Sequence, residues 1–499
     1  MHFWLNGRTQ EPIAPPLFRG IVMFRTPTRA CQIGMVAGVV SLIGLNGIAT
    51  AGGFSLIEHG ASGLGNAYAG AAAVSADTST VWFNPAGMSQ IDGRQTSVAL
   101  HILTTDTNWT DQGTTLGAAL GRSPSSGPDT ANPGATSVLP NFYYVAPISD
   151  QWSYGLSIGA PYGSSTEYDR DWKGRYSTVK SGVSVIDINP AVSYKVSDKV
   201  SLGFGVSLQR LSAELESAVD SGATCLGLAA SALTSFTAAD CVNVGLTPGV
   251  QANDGYGSIT GDSSTFGFNM GALFTPKKGV KIGVSYRHST SHELDGDVDF
   301  DVNAALQAVL DSNTVAPGQG LTQGIFNDVG AKAEIDLPAT FSISGAWEIN
   351  NKVELLADFT WTGWSSFKEL RVTYDNPVQP DTLSVQAWED VIRLSAGVNY
   401  KLNNKLTLRT GMAFDEEAIP SAQRRTARIP GNDRTWLSFG AGYKVNKNLS
   451  FDVGYAHLFL DETPIDNINP ESLGTALEIR GEFEPSVDIL SAQVNWAFN

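Results

Sequence analysis

The sequence predicts an all-β protein: a 14-stranded antiparallel transmembrane β-barrel plugged by a small N-terminal hatch. Three observations carry that prediction. From about residue 94 onward, segments of roughly ten residues alternate apolar with small or polar side chains. The connections between those segments alternate between short and long. The composition joins low charge, 16% of 499 residues, to 52 Gly and 9% aromatics. An ordinary soluble domain carries roughly 25% charged residues and about 7% Gly.

Composition removes several classes. The aromatic and aliphatic content excludes disorder, and a mean hydropathy of -0.05 argues against a helical membrane protein. With 32 Lys+Arg against 49 Asp+Glu, the net charge of -17 lacks the basic face a nucleic-acid binder needs.

At the N-terminus, Arg25 and Arg29 precede an apolar run, Ile33 to Leu45, and Ala49-Thr50-Ala51 follows it. A positive region, a short apolar stretch and a small-residue cleavage site make a secretory signal peptide. The expected organisation is an upstream extension at 1–22, a signal peptide at 23–51, a hatch at 52–93 and a barrel at 94–499. The segment to be removed carries four Arg and one Glu, so the mature charge becomes -17 - 3 = -20. Two cysteines remain, Cys225 and Cys241, sixteen apart in a polar stretch. In an exported chain they are expected to form a disulfide.

The strands follow in order. Ile392, Leu394, Ala396, Val398 and Tyr400 share one face against Arg393, Ser395, Gly397 and Asn399. Leu437, Phe439, Ala441 and Tyr443 oppose Ser438, Gly440 and Gly442, and the final segment sets Leu490, Ala492, Val494 and Trp496 against Ser491, Gln493 and Asn495. A soluble sandwich would charge its polar face; small neutral residues suit a water-facing lumen instead. Spanning strands must close, because an open edge in hydrocarbon leaves backbone groups unsatisfied. Six short turns, at 149–150, 197–199, 276–279, 350–351, 403–404 and 446–448, alternate with seven long loops. That arithmetic gives fourteen strands, where a propeller or secreted enzyme has no reason to alternate loop length. Trp152, Tyr400, Trp436, Tyr443 and Trp496 stand where an interfacial aromatic girdle is expected.

Two helices are expected in the long loops. One covers 226–239, with Leu226, Leu233 and Phe236 on a face; the other covers 301–310, with Leu306, Val309 and Leu310. Their apolar faces either pack together or receive a hydrophobic ligand.

Residues 52–93 are too irregular for a strand and too few to fold alone, while a fourteen-strand barrel is wide enough to need a plug. The stretch GFSLIEHGASGLGNAYAGAAAVSADTSTVWFNPAGM, with its Ser62–Gly70 run and its closing Asn84-Pro85-Ala86, resembles the hatch of the outer-membrane long-chain fatty-acid transporter family (FadL type), which includes aromatic-hydrocarbon channels. Support continues through VLPNFYYVAPISDQW (138–152), LRTGMAFDE (408–416) and IPGNDRTWLSFGAGY (429–443). The resemblance implies passive, ligand-triggered uptake across the outer membrane of a Gram-negative bacterium, without cofactor or catalysis. It also implies a loop groove made by the two helices and a pocket beside the hatch, which Phe54 enters. Asn84, Pro85 and Ala86 would end the hatch, and cargo would leave sideways through the wall at the third strand. The partners implied are a hydrophobic small molecule and outer-membrane lipid, with no nucleic acid, around a monomeric barrel.

The residues themselves point to that side exit. A turn at Ser149-Asp150 makes paired positions sum to about 299, so Pro140 is expected opposite Gly159, and Pro161 opposite Val138. Prolines cannot donate to a ladder, and two of them near Gly155, Gly159 and Gly163 predict a gap. One departure concerns cargo: Ala213 to Ser217 and His288 to Asp301 are acidic or neutral where fatty-acid members carry Lys and Arg, leaving only Arg210 and Arg287 to reach inward. Fatty acid or neutral hydrocarbon both stay open, beside the rival classes of a lipase-like barrel enzyme and an adhesin or phage receptor.

Other patterns carry less. Gly155 to Gly159 matches a nucleophile elbow without its helix; Gly63-x-Gly65 opens no dinucleotide fold. His288 and His292, on one strand face, are too far apart for one metal ion, and no metal site is expected. The alternating Asp295, Asp297, Asp299 and Asp301 read as a solvated segment rather than a Ca²⁺ site.

Overall fold

The computed structural model describes residues 53–117, 120–230, 237–312, 325–377, 379–469 and 476–498. The expected extension and signal peptide, and with them Leu233 and Phe236, lie outside the described residues. The rest forms a closed antiparallel barrel of fourteen strands. They are β1 (Arg94–Asp111), β2 (Thr136–Pro147), β3 (Trp152–Glu167), β4 (Lys180–Ser197), β5 (Val200–Val219) and β6 (Gly255–Lys277). Four interrupted strands follow: β7 (Val280–Arg287, Thr290–Asp301), β8 (Val329–Leu337, Thr340–Glu348), β9 (Val353–Thr362, Glu369–Tyr374) and β10 (Thr382–Val385, Val391–Lys401). The last are β11 (Leu406–Asp415), β12 (Arg434–Lys444), β13 (Leu449–Leu460, Thr463–Asn469) and β14 (Leu477–Phe498). Pairing of Arg94 with Phe498 through Asp111 with Gly481 joins β14 to β1 and leaves no free edge there. No helix among the described residues is long and apolar enough to cross a membrane; strands do the crossing.

The alternation works as its chemistry requires. Leu394, Leu408, Met412, Phe439 and Leu490 are exposed on the outside, whereas Ser395, Ser438, Ser491 and Gln493 are buried inside. Trp436 is a correction. It is fully buried on the lumen side, packed in a cluster with Leu64 and Tyr68, so it belongs to no outer girdle. The interruptions in β7, β8 and β10 each insert residues that reverse the alternation. In consequence His288 is exposed and His292 buried, on opposite faces rather than one.

Residues 53–93 fill the interior with short helices α1 (Ala61–Leu64) and α2 (Thr80–Phe83) and a 3₁₀ turn at Pro85–Gln90. The small polar lumen residues hold them. Gln493 Oε1 accepts from the Ala61 N–H at 2.9 Å, Ser344 Oγ from the Ala72 N–H at 3.0 Å, and Ser97 Oγ from the Thr78 hydroxyl at 2.7 Å.

Outside the membrane the loop helices are α3 (Ser221–Ala230), α4 (Ala238–Asn243) and α5 (Ala304–Ser312). The first starts five residues earlier than expected. Cys225 and Cys241 form the disulfide. Asp295, Asp297, Asp299 and Asp301 face solvent along β7, and no cluster of metal-ligating side chains occurs among the described residues.

Candidate functional site: the gap between β2 and β3 and the cavity beside it

Pairing along the wall stops near the prolines. β2 and β3 pair from Pro147 with Ser153 up to Phe142 with Ile158, and pairing ends there. Those positions sum to 300, one more than the turn implied, so Pro140 comes level with Ala160 rather than Gly159, and Pro161 with Leu139. β2 continues upward on β1, which pairs Pro140 with Leu100. β3 continues on β4, with a register shift between Gly159 and Tyr162 around Pro161. The two strands thus diverge, each held by its other neighbour.

The freed edge of β3 is taken by the N-terminal segment. Ser55 bridges Tyr162; the Leu56 N–H donates to the Pro161 carbonyl at 2.8 Å, and the Gly163 N–H donates to the Phe54 carbonyl at 2.9 Å. Below, the Asn141 amide donates to the Glu58 carbonyl at 2.8 Å, and His59 Nδ1 lies 3.2 Å from the Tyr143 hydroxyl. A three-residue stretch therefore stands in for the missing partner strand.

Phe54 anchors that stretch. Its ring centroid lies 4.8 Å from Trp364, 5.9 Å from Phe367 and from Trp388, and 6.1 Å from Tyr162. Gly53 makes the approach possible: its φ is +71°, and a Cβ there would lie 2.5 Å from Trp388. At the far end of the segment, Asn84 Nδ2 donates to the Ala72 and Ala272 carbonyls at 2.7 and 3.0 Å, while its Oδ1 accepts from the Ala86 N–H at 3.0 Å. Gly271 lies beneath this junction, where a Cβ would meet Asn84 Oδ1 at 2.0 Å. Asn84, Pro85 and Ala86 are all buried.

Between the segment and the wall is a cavity of about 130 Å³, lined by Leu56, Ile57, Phe83, Pro161 and Tyr162 together with Arg287 and Arg393. Arg287 donates to Ser207 Oγ at 2.9 Å and the Trp82 carbonyl at 3.2 Å, with its guanidinium 3.5 Å above the Trp82 ring. Arg393 donates one hydrogen bond, to the Ala67 carbonyl at 3.0 Å. Its Nε and one terminal nitrogen are buried without a partner among the described residues. Asp358 and Asp415 also line the cavity. Glu58 is buried close by, and desolvation pushes its carboxyl up to about 7, with Arg434 and Arg393 pulling the other way.

The remaining expected residues lie elsewhere. Leu306, Val309 and Leu310 pack with Cys225, Cys241, Leu246 and Phe326, and Leu226 covers the edge of that cluster. The loop faces are thus largely spent on one another. Arg210 does not point into the cavity; it pairs on the exposed side with Asp262 at 3.1 Å. Sequence reasoning missed the trio Trp364, Phe367 and Trp388, and it placed Arg393 on the lumen face without singling it out. An arginine in a row of Ser, Gly and Asn was the available signal.

Comparisons with known proteins show the family and the fold. The family described as "Outer membrane protein transport protein (OMPP1/FadL/TodX)" matches residues 42–498. This chain belongs to that family. It is 29% identical over 410 residues to the long-chain fatty acid transport protein of Escherichia coli K12, covering 81% of this chain and 87% of that one. Outer membrane protein P1 of Haemophilus influenzae is 29% identical over 430 residues, covering 83% and 87%. Among solved structures, a Pseudomonas aeruginosa FadL homologue superposes with a TM-score of 0.78 at 25% identity, covering 89% of this chain and 100% of that one. The toluene transporter TodX of P. putida shares the fold, with a TM-score of 0.58 at 18% identity over 83% and 93%. The chain is an outer-membrane protein of the Gram-negative type, and the members of its family are transport proteins.

Proposed function

We propose that this member takes up long-chain fatty acids passively, gated by the ligand itself. The observation that carries the choice of cargo is Arg393: a buried guanidinium with two unpartnered nitrogens on the wall of the cavity beside the N-terminal segment. A carboxylate could accept from one of these nitrogens, and such a charge-assisted bond is stronger than a neutral hydrogen bond. The charge absent from Ala213 to Ser217 and His288 to Asp301 is supplied from β10.

Cargo first meets the loop cluster around Leu226, Leu306, Val309 and Leu310, with Leu233 and Phe236 assigned to the same surface. It descends to the cavity, where its chain competes with Phe54 for the aromatic cluster. Displacing Phe54 draws Ser55 and Leu56 off the β3 edge. The residues Pro140, Gly159, Pro161 and Gly163 then border an open slot toward lipid. Residues 52–93 act as the hatch in this reading, with Asn84-Pro85-Ala86 as its fixed end.

A second reading, a neutral hydrocarbon cargo, draws on Asp358 and Asp415, which balance the arginines across the cavity. Equilibrium binding separates the two. Arg393→Gln should weaken oleate binding by about 10- to 100-fold while leaving hexadecane binding unchanged. Equal affinity of the variant and the parent for oleate would remove the acid reading.

A further inference from the structure

The wall has a second discontinuity, on the strands beyond the aromatic cluster. β8 and β9 pair from Glu348 with Glu354 up to Thr340 with Thr362, and pairing resumes only from Ala333 with Val372 to Ala331 with Tyr374. Between those points Glu334–Ala339 faces Gly363–Arg371 across a cleft of about 1280 Å³. β9 does not simply bulge there. Its chain turns inward through a 3₁₀ turn at Trp364–Ser366, placing Trp364 fully buried against Phe54. β7 and β10 are interrupted nearby, between Arg287 and Thr290 and between Val385 and Val391.

The cleft is two-sided in chemistry. Its floor is apolar, made by Leu294, Ala333, Ala339, Trp361 and Phe367. Leu294 and Ala333 also line a small apolar lumen cavity of about 40 Å³ with Val183, Leu215 and Ile259, so the floor backs onto the interior. Its lip carries five carboxylates: Glu293, Glu334, Asp336, Glu369 and Asp390. Three cations stand among them, Lys332, Lys368 and Arg371, and Arg371 is already engaged by Glu369 at 3.0 Å and Asp381 at 3.3 Å. Nine paired residues separate the cleft from the turn below, which matches the roughly nine to eleven that a spanning strand needs. The cleft therefore lies at the upper edge of the hydrocarbon, with Leu294 and Ala333 turned inward and Glu293 and Glu334 turned outward at nearly the same level.

We infer that this cleft binds a single-chain amphiphile with an uncharged head, such as a monoacylglycerol, taken from the outer face of the membrane with its chain directed toward the lumen. The apolar floor and adjoining lumen cavity suit the chain. The excess of carboxylates repels an anionic head and accepts hydrogen bonds from hydroxyls. The inference goes beyond the Arg393 cavity and does not depend on what that cavity binds.

Photo-crosslinking tests it. Purified protein in liposomes is irradiated with a monoacylglycerol carrying a diazirine near mid-chain, and labelled peptides are mapped by mass spectrometry. Label is expected on 333–339 and 361–367 and should be competed by unlabelled monoolein better than by oleate. Ala339→Trp and Ser366→Trp, two independent ways of filling the cleft, should each lower that label by about 5-fold or more. Both variants are first checked for the heat-modifiable migration of a folded barrel. A diazirine oleate mapping to the Arg393 cavity should be unaffected by either, and loss of that signal in the parent would count against the fatty-acid reading alone. Label absent from both segments, unchanged in two folded variants, or competed better by oleate would overturn the cleft assignment.

Discussion

The two breaks in the wall differ in height, and the height explains how each is finished. β2 and β3 part after six pairs above their turn, from Pro147 with Ser153 to Phe142 with Ile158. β8 and β9 part after nine. Six pairs end inside the apolar band, where no water can satisfy a backbone group. Higher on the freed edge of β3, at Pro161 and Gly163, Phe54–Leu56 supplies a donor and an acceptor in place of β2. At nine pairs the strands have reached the rim. The turned-in chain is held by its own turn and by β8: the Phe367 N–H donates to the Trp364 carbonyl at 2.9 Å and the Gly363 N–H to the Ala339 carbonyl of β8 at 2.9 Å. The low break is covered by a separate segment of chain, the high one by its own turn. In the proposed uptake, the covering by a separate segment is the one that serves as the gate.

Fixing the seal in place should produce the largest effect. Ser55 and Tyr162 form a bridge whose flanking residues make the hydrogen bonds, the closely spaced kind of pair suited to a disulfide. Ser55→Cys with Tyr162→Cys should lose oleate uptake when oxidised and regain it on reduction. Uptake that is indifferent to redox state would separate transport from this gap.

Loosening the seal comes next. Phe54→Ala removes a fully packed ring, a change worth about 3–5 kcal/mol in cores. Hydrogen exchange at residues 54–59 should accelerate strongly, while the Trp364 turn, held by its own hydrogen bonds, changes less. Equal acceleration at both breaks would erase the distinction drawn between them.

A smaller effect follows from Glu58. Its folded value of about 7 lies above the ordinary 4.5, so the packed segment holds more protons than a released one between those values. Stability of the seal is full below about pH 4.5 and falls as pH rises through 7, by at most about 3 kcal/mol. Glu58→Gln should flatten the pH dependence of exchange at residues 54–59 and leave 363–367 unaffected. The smallest effect belongs to the rim. Arg371→Gln breaks exposed ion pairs, which contribute little, and should leave both the unfolding midpoint and oleate uptake where they were.

Most of the architecture was legible because its physics is periodic. Side chains must alternate between lipid and lumen, and loop lengths must alternate between the two sides. The disulfide and the proline gap were legible for similar local reasons. What escaped were departures from the period. The interruptions at 288–289 and 338–339 reverse the faces, so His292 lies inside where strict alternation from His288 would place it outside. Trp364 and Trp388 sit in non-strand stretches, where no pattern says which way an indole points. Trp436 was misread because the end of a strand is where both a girdle and a lumen cluster place tryptophan. Arg393 was assigned its face but not its role, since only the fold brings Ala67, Trp436 and the cavity around it.

The closure of β14 on β1 has a consequence for how the protein is made. Eighteen positions pair along that seam, and the segment lodged in the lumen ends immediately before Arg94, the first of them. Residues 53–93 are therefore enclosed by a wall that the last strand completes. The seam closes only when the final strand is added, with residues 53–93 already joined to the first strand. A chain whose Asn84 junction cannot dock on β6 should accumulate as an unsealed assembly intermediate rather than as a leaky finished barrel.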